Sequence, residues 1–170
     1  MLAGIALGSN VGDRLAHLHA ARDRLGALHE GSKGGFRVSS IYETEPVGCG
    51  PEAEAFYNAV VMLETSLAPH ALLDAAQSIE QALGRPTRRP KNAPRTIDVD
   101  LLFLGDTVLS DERLELPHPR LLQRRFVLTP LAEIWPEGRL PGEAHSFSDA
   151  LNRLESDEAI PERLALPDWR

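Results

Sequence analysis

The chain has 170 residues, 42% of them hydrophobic and 25% charged, which is the make-up of one soluble globular domain with room for a real core. Its net charge of −7 argues against nucleic acid as a partner, no apolar run approaches the ~18 residues a membrane span needs, and Cys49 as the single cysteine excludes a disulfide framework or a thiolate metal cage. The start, MLAGIALGSN, lacks the basic leader and long apolar stretch of a signal peptide, so a cytoplasmic location is expected.

Residues 2–8 (LAGIALG) form a short apolar run that reads as a buried strand. A turn at GSNVGD leads into a helix expected over about 12–29, with Leu15, Leu18, Ala21, Leu25 and Leu28 at helical spacing and Gly31 as a stop. FRVSSIYET (36–44) reads as a second strand, EPVGCGPEAE (45–54) as a loop, and FYNAVVMLET (56–65) as a third strand. Pro69 suits the first position of a helix whose stripe is Leu72, Ala76, Ile79 and Leu83, closed by Gly84. A basic loop follows, then a strand through Leu104, a small hairpin at TVLSDERLELP, a short helix over 125–135, a last helix over 146–156 and a tail with prolines. The core order is β-α-β-β-α-β: an α+β, ferredoxin-like arrangement with an antiparallel sheet, helices on one face and small C-terminal additions. The whole of 1–170 is expected to be one domain.

Charge is unevenly spread. The stretch 84–95 holds Arg85, Arg88, Arg89, Lys91 and Arg95, the stretch 116–132 adds Arg120, Arg124 and Arg125, and neither contains an acid. Between them lies PRTIDVDLL, an apolar strand carrying Asp98 and Asp100. With a period of two, Ile97, Val99, Leu101 and Phe103 face the helices, and Thr96, Asp98, Asp100, Leu102 and Leu104 face the other way. Side chains two apart on a strand stand about 6.6 Å apart. Two carboxylates there repel by roughly 0.6 kcal/mol in water and ~2.5 kcal/mol at an effective dielectric of 20. A wet face tolerates that; a walled cleft calls for a cation. Two hard oxygen ligands without a full cage suit Mg²⁺ shared with substrate phosphates, and the flanking arginines suit a polyanion.

Other motifs carry less. GSNVG opens a helix as an anion-binding turn would, but it lacks the P-loop pattern, so a plain tight turn is expected. Gln77 and Glu80 share a helix face and read as a solvated pair. His118, between two prolines in LPHPR, reads as a structural hydrogen-bonder, and His17 and His19 do not face each other.

IALGSN, SSIYETEPVG, FYNAV, IEQALGR, APRTIDVDLL and LPHPRL together resemble the 6-hydroxymethyl-7,8-dihydropterin pyrophosphokinase family over about residues 2–135. PRTIDVDLL joined at this spacing to LPHPR is the most specific part. The resemblance implies a ferredoxin-like fold and transfer of pyrophosphate from ATP to 6-hydroxymethyl-7,8-dihydropterin, with AMP released, in folate biosynthesis. It implies two Mg²⁺ ions on Asp98 and Asp100, and Arg85 and Arg95 as catalytic arginines. ATP binding falls to Gln77, Glu80, Arg95, Leu101, Arg113, His118 and Arg124. The pterin pocket falls to Thr44, Val47, Phe56, Asn58 and Phe126, with the Asn58 amide on the ring's polar edge. Three positions depart from the family pattern: Asn92 stands where many members have tryptophan, Thr87 where arginine is frequent, and Arg125 where some have a small residue.

No side chain is evident as a general base. Two other classes remain open on the residues alone. A metal-dependent phosphohydrolase would use the same diacid without a pterin, and a non-catalytic ligand-binding module would tolerate replacement of Asp98 and Asp100. The loop 84–95, with Pro86, Pro90 and Pro94 and no large apolar anchor, is expected to close over bound nucleotide.

Overall fold

The computed structural model describes residues 1–45, 54–84, 96–166 and 168–169. Val47, Cys49, Arg85, Thr87, Asn92, Arg95 and the basic loop that was expected to close lie outside the described residues.

Strand β1 (Leu2–Ser9) runs antiparallel between β4 (Phe56–Glu64) and β5 (Asp98–Leu104). The strand expected over 36–44 exists as two pieces, β2 (Arg37–Val38) and β3 (Tyr42–Thr44), both paired with β4. The break falls at Ser39, whose Oγ accepts the Val60 N–H at 2.9 Å and donates to the Ser40 carbonyl at 2.7 Å. A side chain thereby replaces part of the ladder, and the strand bends. With β2 and β3 counted as one, the order β5-β1-β4-β3 is the antiparallel sheet expected of a βαββαβ core. A short strand that the sequence does not announce, β8 (Glu162–Arg163), pairs with the outer edge of β3. The expected hairpin is present as β6 (Leu109–Ser110) and β7 (Glu115–Leu116).

Helix α1 (Arg14–Gly26) is shorter than 12–29 because Asp13 caps it, accepting the Ala16 N–H at 2.9 Å, and the chain turns off at Ala27. Helix α2 (Pro69–Ala82) begins on its proline and is closed at Gly84, whose φ of 90° only glycine adopts at little cost. Both pack on one face of the sheet, where Ile5, Leu7, Val61 and Leu63 meet Leu18, Leu25, Leu72 and Ala76.

The other face is not bare, contrary to the expectation of helices on one side only. Helices α3 (Arg125–Ile134) and α4 (Phe147–Arg153) cover Val60, Met62, Leu102 and Phe103. The cause is visible in the strands: Val60 through Leu63 and Leu101 through Leu104 are buried without alternation, which requires a layer on each side. Helix α4 is shorter than 146–156. Ser146 and Asp149 form a capping box at its start, and from Leu154 the chain is extended.

The strict alternation expected along β5 holds only as far as Leu101. The pairing with β1 shifts by one residue there: Ile5 lies opposite Leu101, but Gly4 lies opposite Phe103. Leu102 is the extra residue of a β-bulge. Phe103 therefore joins the α3–α4 side and Leu104 the α1–α2 side, the reverse of the simple pleat. The Phe103 ring lies over Gly4, where an added Cβ would clash with it. Trp135 and Phe147 stack around the same ring, with centroids 5.8 and 6.0 Å away.

Candidate active site

Helices α3 and α4 cover only part of their face. Along β1, the small residues Gly4, Ala6 and Gly8 point to that side, and the pairing register places partners beside each. Gly4 meets Phe103 in the covered part; Ala6 meets Asp100, and Gly8 meets Asp98 on one side and Asn58 on the other. Asn58 in turn pairs with Tyr42, and Phe56 with Thr44. Asp98, Gly8, Asn58 and Tyr42 thus form one row across four strands. Strand spacing puts Asp98 and Asn58 about 10 Å apart, with only the bare backbone of Gly8 between them. A Cβ on Gly8 would stand 3.2 Å from Asn58 Oδ1. Gly8 reads in the sequence as the end of the 2–8 strand and the start of the turn; the signal for its role is a glycine inside an apolar strand, which marks a close approach.

Of the residues expected at the pterin, those that are described come together. Asn58 is buried and its Nδ2 donates to Thr44 Oγ1 at 2.7 Å, which orients the amide and aims Oδ1 over Gly8. Thr44 and Phe126 line one cavity of about 300 Å³, with Glu45 and the stretch Ser156–Ala159. That last stretch was not foreseen as part of any site. Arg124 sits over the Phe126 ring at 5.5 Å.

The residues expected at the nucleotide lie along the outer edge of β5. Glu80 is not the solvated residue its spacing suggested: it is 8% exposed, and its carboxylate accepts the Val99 N–H at 2.8 Å. Strand β5 is an edge strand, so the N–H of Val99 that points away from β1 needs this acceptor. Glu80 thereby fixes the backbone between Asp98 and Asp100. Gln77, one turn earlier on α2, is exposed. Arg113 reaches from the β6–β7 turn to Asp74 of α2 at 2.6 Å. The side chain of Leu101 is buried in the α1–α2 core, so it can offer a ligand only its backbone.

His118 follows a cis Leu116–Pro117 peptide, and its N–H donates to the Leu102 carbonyl at 2.7 Å. Its Nδ1 accepts the Arg120 N–H at 3.1 Å, which leaves the proton of a neutral ring on Nε2. Burial, then the charges of Arg124 and Arg120, hold its pKa below the ordinary value of 6.5. At neutral pH it is therefore an uncharged donor.

Asp98 is half-buried, with Oδ1 inside, and Asp100 is exposed. The Ser9 hydroxyl donates to the Thr96 carbonyl at 2.5 Å, pinning the chain two residues before Asp98. Among the described residues no cluster of three or more His, Cys, Asp or Glu side chains makes a metal cage. The donor set is a same-face carboxylate pair, one half-buried and one exposed, which fits a hard divalent cation that takes its other ligands from phosphate and water. No helix among the described residues is long and apolar enough to cross a membrane.

Fold and site define an α+β protein of ferredoxin-like architecture that joins a dicarboxylate strand to a buried amide, Asn58, and to a cavity lined by Thr44 and Phe126. The family model described as 7,8-dihydro-6-hydroxymethylpterin-pyrophosphokinase (HPPK) matches residues 4–136, and the chain belongs to that family. It is 47% identical over 134 residues to the 2-amino-4-hydroxy-6-hydroxymethyldihydropteridine pyrophosphokinase of Bacillus subtilis (strain 168), covering 78% of this chain and 77% of that protein. Against the protein of the same name from Methylorubrum extorquens it is 43% identical over 156 residues, covering 90% and 93%. In fold it is similar to the crystal structure of Plasmodium falciparum HPPK-DHPS wild type with pterin and p-hydroxybenzoate. The TM-score is 0.67 at 16% identity, over 89% of this chain and 41% of that one, so the chain spans less than half of that larger protein.

Proposed function

We propose that this protein transfers the pyrophosphoryl group of ATP to the hydroxymethyl oxygen of 6-hydroxymethyl-7,8-dihydropterin, releasing AMP, as a step of folate biosynthesis, and that residues 1–170 act as one pterin- and ATP-binding unit. The observation that carries the reading is the row Asp98–Gly8–Asn58. It sets a phosphate-side carboxylate pair and a ring-side amide about 10 Å apart over a floor with no side chain. That floor lets the alcohol and the phosphate chain approach each other closely.

Asn58 Oδ1 accepts N–H donors of the pterin edge, and Phe56 and Phe126 hold the ring by its faces. The neutral Nε2–H of His118 donates to the nucleotide, and Arg124 adds positive charge on the same side. Gln77 and Arg113 contact the nucleotide from α2 and the hairpin, and Leu101 offers its edge-strand backbone. Arg85 and Arg95 neutralise charge on the phosphoryl oxygens. Asp98 and Asp100 would hold Mg²⁺, two ions in the full complex, which when bound supplies charge neutralisation to the phosphates and lowers the pKa of a coordinated alcohol. In the transfer, a bond forms between the pterin oxygen and the β-phosphorus. The bond from that phosphorus to the α,β-bridging oxygen breaks, the pair of electrons leaves with AMP, and the alcohol proton is released.

The test is to incubate the protein with ATP, Mg²⁺ and the dihydropterin alcohol and to follow the nucleotide products. AMP is expected only when all three are present. Release of ADP, or of AMP without the pterin, would overturn the transferase reading in favour of a phosphohydrolase.

A further inference from the structure

The cavity that holds Thr44 and Phe126 is also lined by Ser156, Asp157, Glu158 and Ala159. These residues lie beyond 136, where the family match ends. They are not a loose tail. At one end, Arg125 at the start of α3 holds them twice: its backbone N–H donates to Glu158 Oε2 at 2.8 Å, and its guanidinium donates to the Leu154 carbonyl at 3.1 Å. At the other end, β8 adds to the edge of β3, and the Leu164 N–H donates to the Ile41 carbonyl at 2.9 Å. The chain then crosses to the opposite face of the sheet, where Trp169 is buried to 1% exposure against α1. The Trp169 indole N–H donates to the Ser39 carbonyl at 2.6 Å. His19 meets its ring edge-on at 5.2 Å, and an Arg22 guanidinium N–H donates to its carbonyl. The segment is a strap wound over the sheet edge and fixed on both sides of the cavity.

Its chemistry fits one end of the reaction only. Among the described lining residues, Glu45, Asp157 and Glu158 supply three carboxylates and there is no cation. Such a wall repels a phosphate chain and offers acceptors to a ring whose 2-amino and N3 positions carry N–H donors. Resting on the functional reading above, we propose that the C-terminal strap is the outer wall of the dihydropterin pocket, that Glu158 and Asp157 favour the pterin there over anionic ligands, and that Arg125 is the positioning residue that holds them.

The experiment measures KM for the dihydropterin and KM for ATP separately in AMP release, for wild type, Arg125→Ala, Glu158→Ala and Glu158→Gln, with thermal unfolding of each. Loss of one charge-assisted hydrogen bond corresponds to a change of roughly tenfold to a hundredfold. Arg125→Ala and Glu158→Ala are expected to raise the pterin KM by that factor and to leave the ATP KM within about twofold. Glu158→Gln keeps an acceptor for the Arg125 N–H and should regain part of the loss. A purely structural strap would lower the unfolding temperature and shift both KM values together, and that result overturns the proposal. So does a pterin KM that none of the variants moves. If wild type itself yields no pterin-dependent AMP, the functional reading falls and takes this proposal with it; variants that fail in a working enzyme sink the proposal alone.

Discussion

The two halves of the α3–α4 face are built from the same strands and differ in almost everything else. Toward Gly4, the face is sealed: Val60, Met62, Leu102 and Phe103 are each at most 3% exposed beneath the two helices. Toward Gly8, the same pleat presents Asp98, Asp100, Asn58 and Thr44, with the exposed Asp100 and the cavity reaching solvent. The β-bulge at Leu102 lies within the sealed half, just beyond Leu101. One half stores the stability of the fold, and the other tolerates carboxylates that a core would reject. The comparison implies that substitutions a few residues apart on one strand should separate into losses of stability and losses of turnover.

The largest separation is expected at the carboxylates. Asp98→Ala or Asp100→Ala should lower kcat by about three orders of magnitude, by removing a group that acts on charge in the transition state. Thermal unfolding without ligand should stay near wild type or rise, because one of two repelling charges is gone. Near-normal turnover in a folded variant would end the assignment of these residues to the phosphate side.

The two glycines of β1 give a sharper contrast with a smaller effect. Gly4→Ala places a methyl into the Phe103 ring and should cost about 1–3 kcal/mol of stability by overpacking, measured by denaturant unfolding. Gly8→Ala meets Asn58 Oδ1 at 3.2 Å and Phe56 Cδ1 at an ordinary contact distance of 3.9 Å, so stability should hold while pterin-dependent kcat/KM falls about tenfold through the displaced amide. An equal stability loss at both positions would erase the distinction between the halves.

Glu80 lies outside both halves but supports the open one. Glu80→Ala leaves the Val99 N–H without its acceptor and should cost about 1–2 kcal/mol, together with a drop in kcat as the strand between Asp98 and Asp100 loosens. Glu80→Gln retains an acceptor and should restore most of both. If Gln behaves like Ala, the carboxylate has a role other than this hydrogen bond.

The smallest effect concerns pH. His118 has a folded pKa below its unfolded value of 6.5, so below that value the unfolded chain binds a proton that the native protein resists. Its contribution is fully present above 6.5, declines as pH falls toward the folded pKa, and is constant below it. His118→Gln should flatten that part of a stability profile measured from pH 7.5 downward. An unchanged profile would show that burial and the neighbouring arginines do not act on His118.

Much of this protein was legible without coordinates. The βαββαβ order follows from local signals: the proline at 69, the glycine at 84, the β-branched run of β4 and the hairpin at 107–117 each act within a few residues, and local sequence suffices for them. The same holds for Asp98 and Asp100, since a period of two places them on one face whatever surrounds the strand. Where reading by period failed, a distant partner had overridden it. Phe103 and Leu104 exchange faces because β5 must match the spacing of β1 around Gly4. Glu80 is buried because an edge strand 19 residues away has an N–H to satisfy. The strap from Leu154 to Trp169 has no periodicity to detect; it is held by β3, by Arg125 and by a pocket beside α1. The sequence by itself determined the βαββαβ elements, their order and the placement of Asp98 and Asp100 on one strand face, because those depend on neighbours along the chain. Only the tertiary structure decided which half of the sheet stays open, what stands across Gly8 and which residues line the cavity, because hydrogen-bond satisfaction and packing are settled between strands and helices far apart in sequence.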